Sequence, residues 1–112
     1  MEVRATAKNT GIPASKVRPL VDMVRGKRVD EALTLLRFTP TPKAKVVAKV
    51  VQSAAANAEN NFQIDPADLK VVSIYVDEAR SMRRFRPRSR GRVSPIRKRS
   101  SHITVIVAEQ EG

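Results

Sequence analysis

From Arg80 to Arg99 the chain carries ten basic residues and no acid: Arg80, Arg83, Arg84, Arg86, Arg88, Arg90, Arg92, Arg97, Lys98 and Arg99. Five of them, Arg84, Arg86, Arg88, Arg90 and Arg92, recur at every second residue, interrupted by Phe85, Pro87, Ser89 and Gly91. Period two is strand geometry. In an extended chain those guanidinium groups share a side, whereas on a helix successive ones lie about 200° apart and scatter around the axis. Pro87 argues against a helix interior, and Pro87, Ser89, Gly91 and Pro95 supply turn chemistry, so the chain is expected to reverse within the run. The expectation is an extended hairpin. Two arms of roughly ten residues, at about 3.3 Å each, project about 30 Å, farther than a small body supports by packing, so such an arm needs a partner to hold it.

The chemistry of that partner follows from the charge. Lys and Arg total 22 against 11 acidic residues, a formal net charge of +11 and a pI of about 11.1, which points to a polyanion. Outside the run the balance is nearly neutral, twelve basic residues against eleven acidic. Nine of the ten basic residues in the run are Arg, whose planar fork meets phosphate oxygens and whose face stacks on bases, so RNA fits better than a membrane surface. A disordered basic tail is the alternative for any charge run. Here strand-like sequence flanks the run on both sides, which makes it a loop pinned at each end.

The flanks define the body. Lys70 to Glu78 reads KVVSIYVDE, with Val72, Ile74 and Val76 expected on one face and Ser73, Tyr75 and Asp77 on the other. HITVIVA alternates Ile103, Val105 and Val107 against Thr104 and Ile106, and the N-terminal segment alternates Val3, Ala5 and Ala7 against Arg4, Thr6 and Lys8. Three such strands make one antiparallel sheet, with the basic arm as the long hairpin connection between the strands around Ile74 and Val105. Between them the chain reads as helical. Ser15 is the expected N-cap of a first helix with Val17, Leu20, Val21 and Val24 at the 3.6 period, Pro19 near its first turn and Gly26 at its stop. A second helix is expected from near Asp30, with Val29, Leu33 and Leu36 on one face. A third is expected from Thr41 as cap and Pro42 as first residue to about Asn60, with Val46, Val47, Val50, Val51, Ala54, Ala55 and Ala58 as its buried stripe. The fold class is α+β, a three-stranded antiparallel sheet packed on three helices with a protruding basic β-hairpin. The 112 residues suit one domain, with a body of 1–79 and 100–112 and an arm of 80–99.

Several function classes fall away. There is no cysteine, hence no disulfide scaffold or thiolate metal site, and the reducing cytoplasm is the default compartment. The N-terminus MEVRATAKNT lacks an apolar signal core and no apolar run approaches a membrane span, so a soluble, unprocessed protein without membrane partners is expected. His102 is the sole histidine, no glycine-rich phosphate loop of standard spacing is present, and adjacent Asp77 and Glu78 point to opposite faces of a strand. No catalytic residue, metal site or cofactor is expected. Asp77 and Glu78 are read as salt-bridge partners for basic residues at the root of the arm, and His102 as a strand or RNA-contact residue. The aromatics are Phe38, Phe62, Tyr75 and Phe85, too few for a sheet that stacks several bases, so binding should rest on phosphates and shape. Two short helices joined by RGKR suggest a helix-turn-helix, but the second opens with Asp30 and Glu31, which would repel the phosphates beside a major groove. Basic residues gather instead on the first helix and its exit, at Lys16, Arg18, Arg25, Lys27 and Arg28, as a candidate second RNA patch. A basic DNA-architectural or nucleic-acid chaperone protein is the competing reading to an RNA-bound structural protein.

Five segments carry a resemblance: SKVRPLVDMVRGK at Ser15 to Lys27, QSAAANAENN at Gln52 to Asn61, LKVVSIYVDE at Leu69 to Glu78, RRFRPRSRGR at Arg83 to Arg92, and KRSSHITVIV at Lys98 to Val107. Together they cover nearly the whole length, and the chain resembles the bacterial family of large-subunit ribosomal protein twenty-two. Ala79-Arg80 stands where that family often has Gly-Pro, and Ser100 where Thr is usual. The resemblance implies a structural constituent of the large ribosomal subunit with a role in early assembly. It implies a body on the subunit's outer surface and a hairpin threading large-subunit ribosomal RNA to the nascent-peptide exit tunnel. The rRNA-binding residues would be Lys8, Lys16, Arg18, Arg25, Lys27, Arg28, Arg80, Arg83, Arg84, Arg86, Arg97, Lys98, Arg99 and His102. The tip at Arg88, Ser89, Arg90, Gly91 and Arg92 would line the tunnel. Implied partners are ribosomal RNA, neighbouring large-subunit proteins, the nascent peptide and macrolide antibiotics near the tip.

Overall fold

A strand survives in a sheet when one of its alternate sets of side chains is buried, and three segments of this chain meet that condition together. The computed structural model describes residues 2–8, 10–79, 82–88, 92–98 and 100–109, with 82–88 and 92–98 described by their backbone pairing. In chain order the elements are β1 (Glu2–Ala7), α1 (Ala14–Val24), α2 (Val29–Phe38), α3 (Pro42–Phe62), a 3-10 turn (Pro66–Asp68), β2 (Leu69–Glu78), β3 (Met82–Arg88), β4 (Arg92–Lys98) and β5 (Ser101–Glu109). The first sheet is antiparallel with order β1-β5-β2, and β3 and β4 form a separate two-stranded sheet. The α+β architecture read from the sequence is the one observed.

Register aligns the apolar sets. Val3 faces Val107 and Ala5 faces Val105 across β1 and β5, while Ile74 faces Val105 and Val76 faces Ile103 across β2 and β5. All of these are buried, and α1, α2 and α3 close over them. One expectation fails on β2. Val72 was to share the buried face with Ile74 and Val76, yet it is 44% exposed, and Val71 is buried instead. The cause is a register shift between Val71, opposite Val107, and Ser73, opposite Ile106. The extra residue of a bulge resets the alternation, so Leu69 and Val71 stay on the core face in phase with Ile74 and Val76.

The helices follow their apolar periods with local corrections. α1 begins at Ala14 with Pro13 in the cap position and no side-chain cap, so Ser15 lies inside the first turn and does not cap it. Pro19 sits in the sixth helical position, beyond the first turn, and removes the bond its nitrogen would make to the Ser15 carbonyl. Both residues are exposed, so water can serve that carbonyl. α2 starts at Val29, with Asp30 and Glu31 at its positive end and Arg37 in its last turn; Val29 and Leu36 are buried and Leu33 half-buried. α3 is capped as expected, the Lys43 amide donating to Thr41 Oγ1 at 3.4 Å with Pro42 in the first position. Its buried stripe is Ala44, Val47, Val50, Val51, Ala54, Ala55 and Ala58, with Val46 half-buried at the margin. The small alanines let its backbone approach β1 and β5 closely.

The chain as a whole is elongated. Its principal extents are 66 × 28 × 17 Å and its radius of gyration is 17.1 Å, where a compact chain of this length would have about 13 Å. β3 and β4 contact chiefly one another.

Candidate nucleic-acid interface

The expected hairpin is present. β3 and β4 pair antiparallel from Met82↔Lys98 through Arg86↔Ser94 to Arg88↔Arg92. Arg84, Arg86 and Arg88 thereby fall in one alternate register set, together with Arg92, Ser94 and Ile96, while Arg83 and Arg97 pair in the other. Pro87 and Pro95 both sit in this ladder, opposite Val93 and Phe85, where each removes one backbone donor. Arg80, Ser89, Arg90, Gly91 and Arg99 lie outside the described residues, as do the side chains with which Asp77 and Glu78 were expected to form salt bridges.

Where the arm leaves the body, the structure builds a clamp that the sequence reading missed. The β2–β5 ladder runs to Glu78↔Ser101 and is extended by Ala79, whose amide donates to the Ser100 carbonyl at 3.0 Å. The loop before α1 wraps this junction. The Thr10 amide donates to the Ser101 carbonyl at 3.0 Å, and the Gly11 amide donates to Ser100 Oγ at 2.9 Å. Ser101 is fully buried, and its hydroxyl donates to the Ile12 carbonyl at 2.7 Å. That leaves Thr10 as the donor in the 2.8 Å hydroxyl pair with Ser101, while Thr10 Oγ1 accepts from the Ile12 amide at 3.3 Å. The result is a closed ring of hydrogen bonds, each polarising the next. Gly11, at φ +78°, supplies the left-handed turn that lets the loop fold back. Only the Ser100-Ser101 pair between arginines and strand hinted at this in the sequence.

The RGKR segment has an equally definite role. Arg25 is extended (φ −62°, ψ 129°) and Gly26 follows at φ +80°, with the Lys27 amide bonded to the Val24 carbonyl at 3.2 Å, the geometry of a type II turn. The turn docks on the outer edge of β2 at its bulge: Gly26 donates to the Val71 carbonyl at 3.0 Å, and Val71 donates to the Lys27 carbonyl at 2.8 Å. Arg28 and Lys70 form a further bridge. Arg25 reaches along the same edge, giving 2.8 Å to the Ile74 carbonyl and 2.7 Å to Asp22. Of the expected second patch, Lys16, Arg18, Lys27 and Arg28 are exposed, and Arg25 is exposed but tied into the fold. Arg18 and Arg25 lie roughly 10 Å apart along the helix axis. The patch is therefore a string along α1 and its exit, with Asp22 between. Lys8 is exposed past the end of β1, and His102 is half-buried on β5 opposite Asp77.

Comparison with known proteins assigns this arrangement to a class, the ribosomal proteins. The family model for ribosomal protein L22p/L17e matches residues 5–108. The chain is 68% identical over 109 residues to large ribosomal subunit protein uL22 of Dehalococcoides mccartyi (strain 195), covering 97% of this chain and all of the relative. It is 54% identical over 110 residues to uL22 of Pediococcus pentosaceus, covering 97% of this chain and 93% of that protein. With uL22 of Ligilactobacillus salivarius the identity is 52% over 105 residues, covering 94% and 91%. The chain belongs to the ribosomal protein L22p/L17e family, whose role is structural and not enzymatic.

Proposed function

We propose that this protein is a structural constituent of the large ribosomal subunit in the cytoplasm, where it binds large-subunit ribosomal RNA and supports assembly. Residues 1–79 and 100–112 form the body, and the arm of 80–99 threads the RNA, its tip at Arg88, Ser89, Arg90, Gly91 and Arg92 lining the nascent-peptide exit tunnel. Lys16, Arg18, Lys27 and Arg28 add a second contact along α1, with Lys8 and His102 at the margins. Nascent chains and macrolide antibiotics meet the tip. The observation that carries this reading is the hairpin: the run from Arg80 to Arg99 has ten basic residues and no acid, seven of the ten lie in the described β3–β4 ladder, and the strands on either side of the run, β2 and β5, pair in one sheet. A free tail would not be built that way.

The test is binding to large-subunit RNA across a salt series. Replacing Arg84, Arg86 and Arg88 together by Ala should reduce the log-log salt slope by about 2 to 3, since each lost phosphate contact removes about 0.7 to 0.9. An unchanged slope refutes the arm as the RNA contact. Co-sedimentation with large subunits after a high-salt wash tests the assignment to the subunit, and recovery only in a free or nucleoid fraction refutes it.

A further inference from the structure

The two outer edges of the main sheet are treated differently. The edge of β2 is covered by the chain itself, through the Gly26, Lys27 and Arg28 backbone and the Arg25 guanidinium. β1 pairs only with β5 among the described residues, so alternate residues of β1 turn N–H and C=O groups away from the sheet. Beside this open edge runs a groove of about 350 Å³ between β1 and α3, lined by Ala5, Thr6, Val46, Lys49, Val50 and Ser53. A strand edge alongside a helix, with an apolar floor between them, is the geometry in which an extended peptide adds to a sheet.

We infer that the β1 edge and the β1–α3 groove form a docking site for an extended segment of a neighbouring large-subunit protein, added as a fourth strand. This rests on the ribosomal reading above. The ladder requires an occupant that alternates amide donors and carbonyl acceptors along its length, which a protein strand supplies and a polynucleotide backbone does not. Small residues on the groove floor and its limited volume select small aliphatic side chains at every second position. The rim selects charge through Lys49, which lines the groove, since the exposed charges on β1 itself are one acid, Glu2, and one base, Arg4. An acidic residue or terminal carboxylate is therefore favoured.

The experiment compares amide exchange of residues 2–7 in three states of the full chain: free, bound to large-subunit RNA alone, and within the complete large subunit. Exchange should slow by about tenfold or more only in the complete subunit, as the outward amides gain partners. In parallel, a Ser53→Cys chain carrying a thiol-linked benzophenone is assembled into subunits and irradiated. The expected product is a cross-link to one continuous segment of one neighbouring protein. Protection already complete on RNA alone, unchanged exchange in the subunit, or cross-links to RNA or to a second copy would each overturn the inference. Co-sedimentation of the same labelled chain with the subunit is scored separately, so failure of the docking site is distinguishable from failure of the ribosomal assignment.

Discussion

Replacing Ser101 by Ala removes a single oxygen from a fully buried position at the root of the arm. That oxygen donates to the Ile12 carbonyl and accepts from Thr10, so its loss strips a partner from a carbonyl and a hydroxyl that are both part-buried. A polar group left without a partner in the interior costs about 1 to 3 kcal/mol, and partial exposure of these two favours the middle of that range, about 2 kcal/mol. For a domain of this size, 1 kcal/mol moves the melting temperature by about 4 °C, so the variant should melt about 8 °C lower. Thermal unfolding followed by circular dichroism measures it. Thr10→Ala and the double variant complete a cycle. Because both hydroxyls act in one ring, the double variant should cost about 0.5 to 1.5 kcal/mol less than the sum of the singles. The salt slope of RNA binding should be unaltered, since no charge on the arm has changed. A loss below about 0.5 kcal/mol for Ser101→Ala, with strictly additive singles, would refute the clamp.

Two further perturbations probe the edge of β2. Val72→Lys should alter stability by no more than about 0.5 kcal/mol in urea unfolding while Val71→Ala costs about 2 kcal/mol; the reverse ranking would contradict the bulge. Gly26→Ala meets no atom within 4 Å but must hold φ near +80°, so it should lower stability by about 1 kcal/mol through backbone strain alone, and an unchanged melting temperature would exclude that turn geometry.

Local patterns account for most of what could be read from the residues. The alternation of Ile103, Val105 and Val107 and the 3.6-residue stripe of α3 each span enough residues to survive an error at one end, and the structure keeps both. The Arg84 to Arg92 alternation likewise announced strands. What escaped was non-local or a change of phase. KVVSIYVDE contains two adjacent valines, and counting back from Val76 at period two selects Val72, because a bulge leaves no mark on composition. The Thr10–Ser101 contact joins positions 91 apart in sequence. RGKR read as a charge patch because its backbone partner, Val71, lies far down the chain. In the site, the arm was legible because its signal is chemical and continuous, whereas its anchorage is made of small neutral residues with no periodicity.

β5 is the middle strand of the main sheet and the last of its strands in chain order. Synthesis runs from the N-terminus, so β1, the three helices, β2 and the whole arm are made before the strand that unites them. Until residues 101–109 emerge, β1 and β2 have no common neighbour, and Ser101 is absent from the ring around Thr10 and Ile12. Sheet closure and anchoring of the arm are therefore one late event, governed by pairings between distant parts of the chain. The protein acquires its rigid grip on the arm only when its final strand is in place.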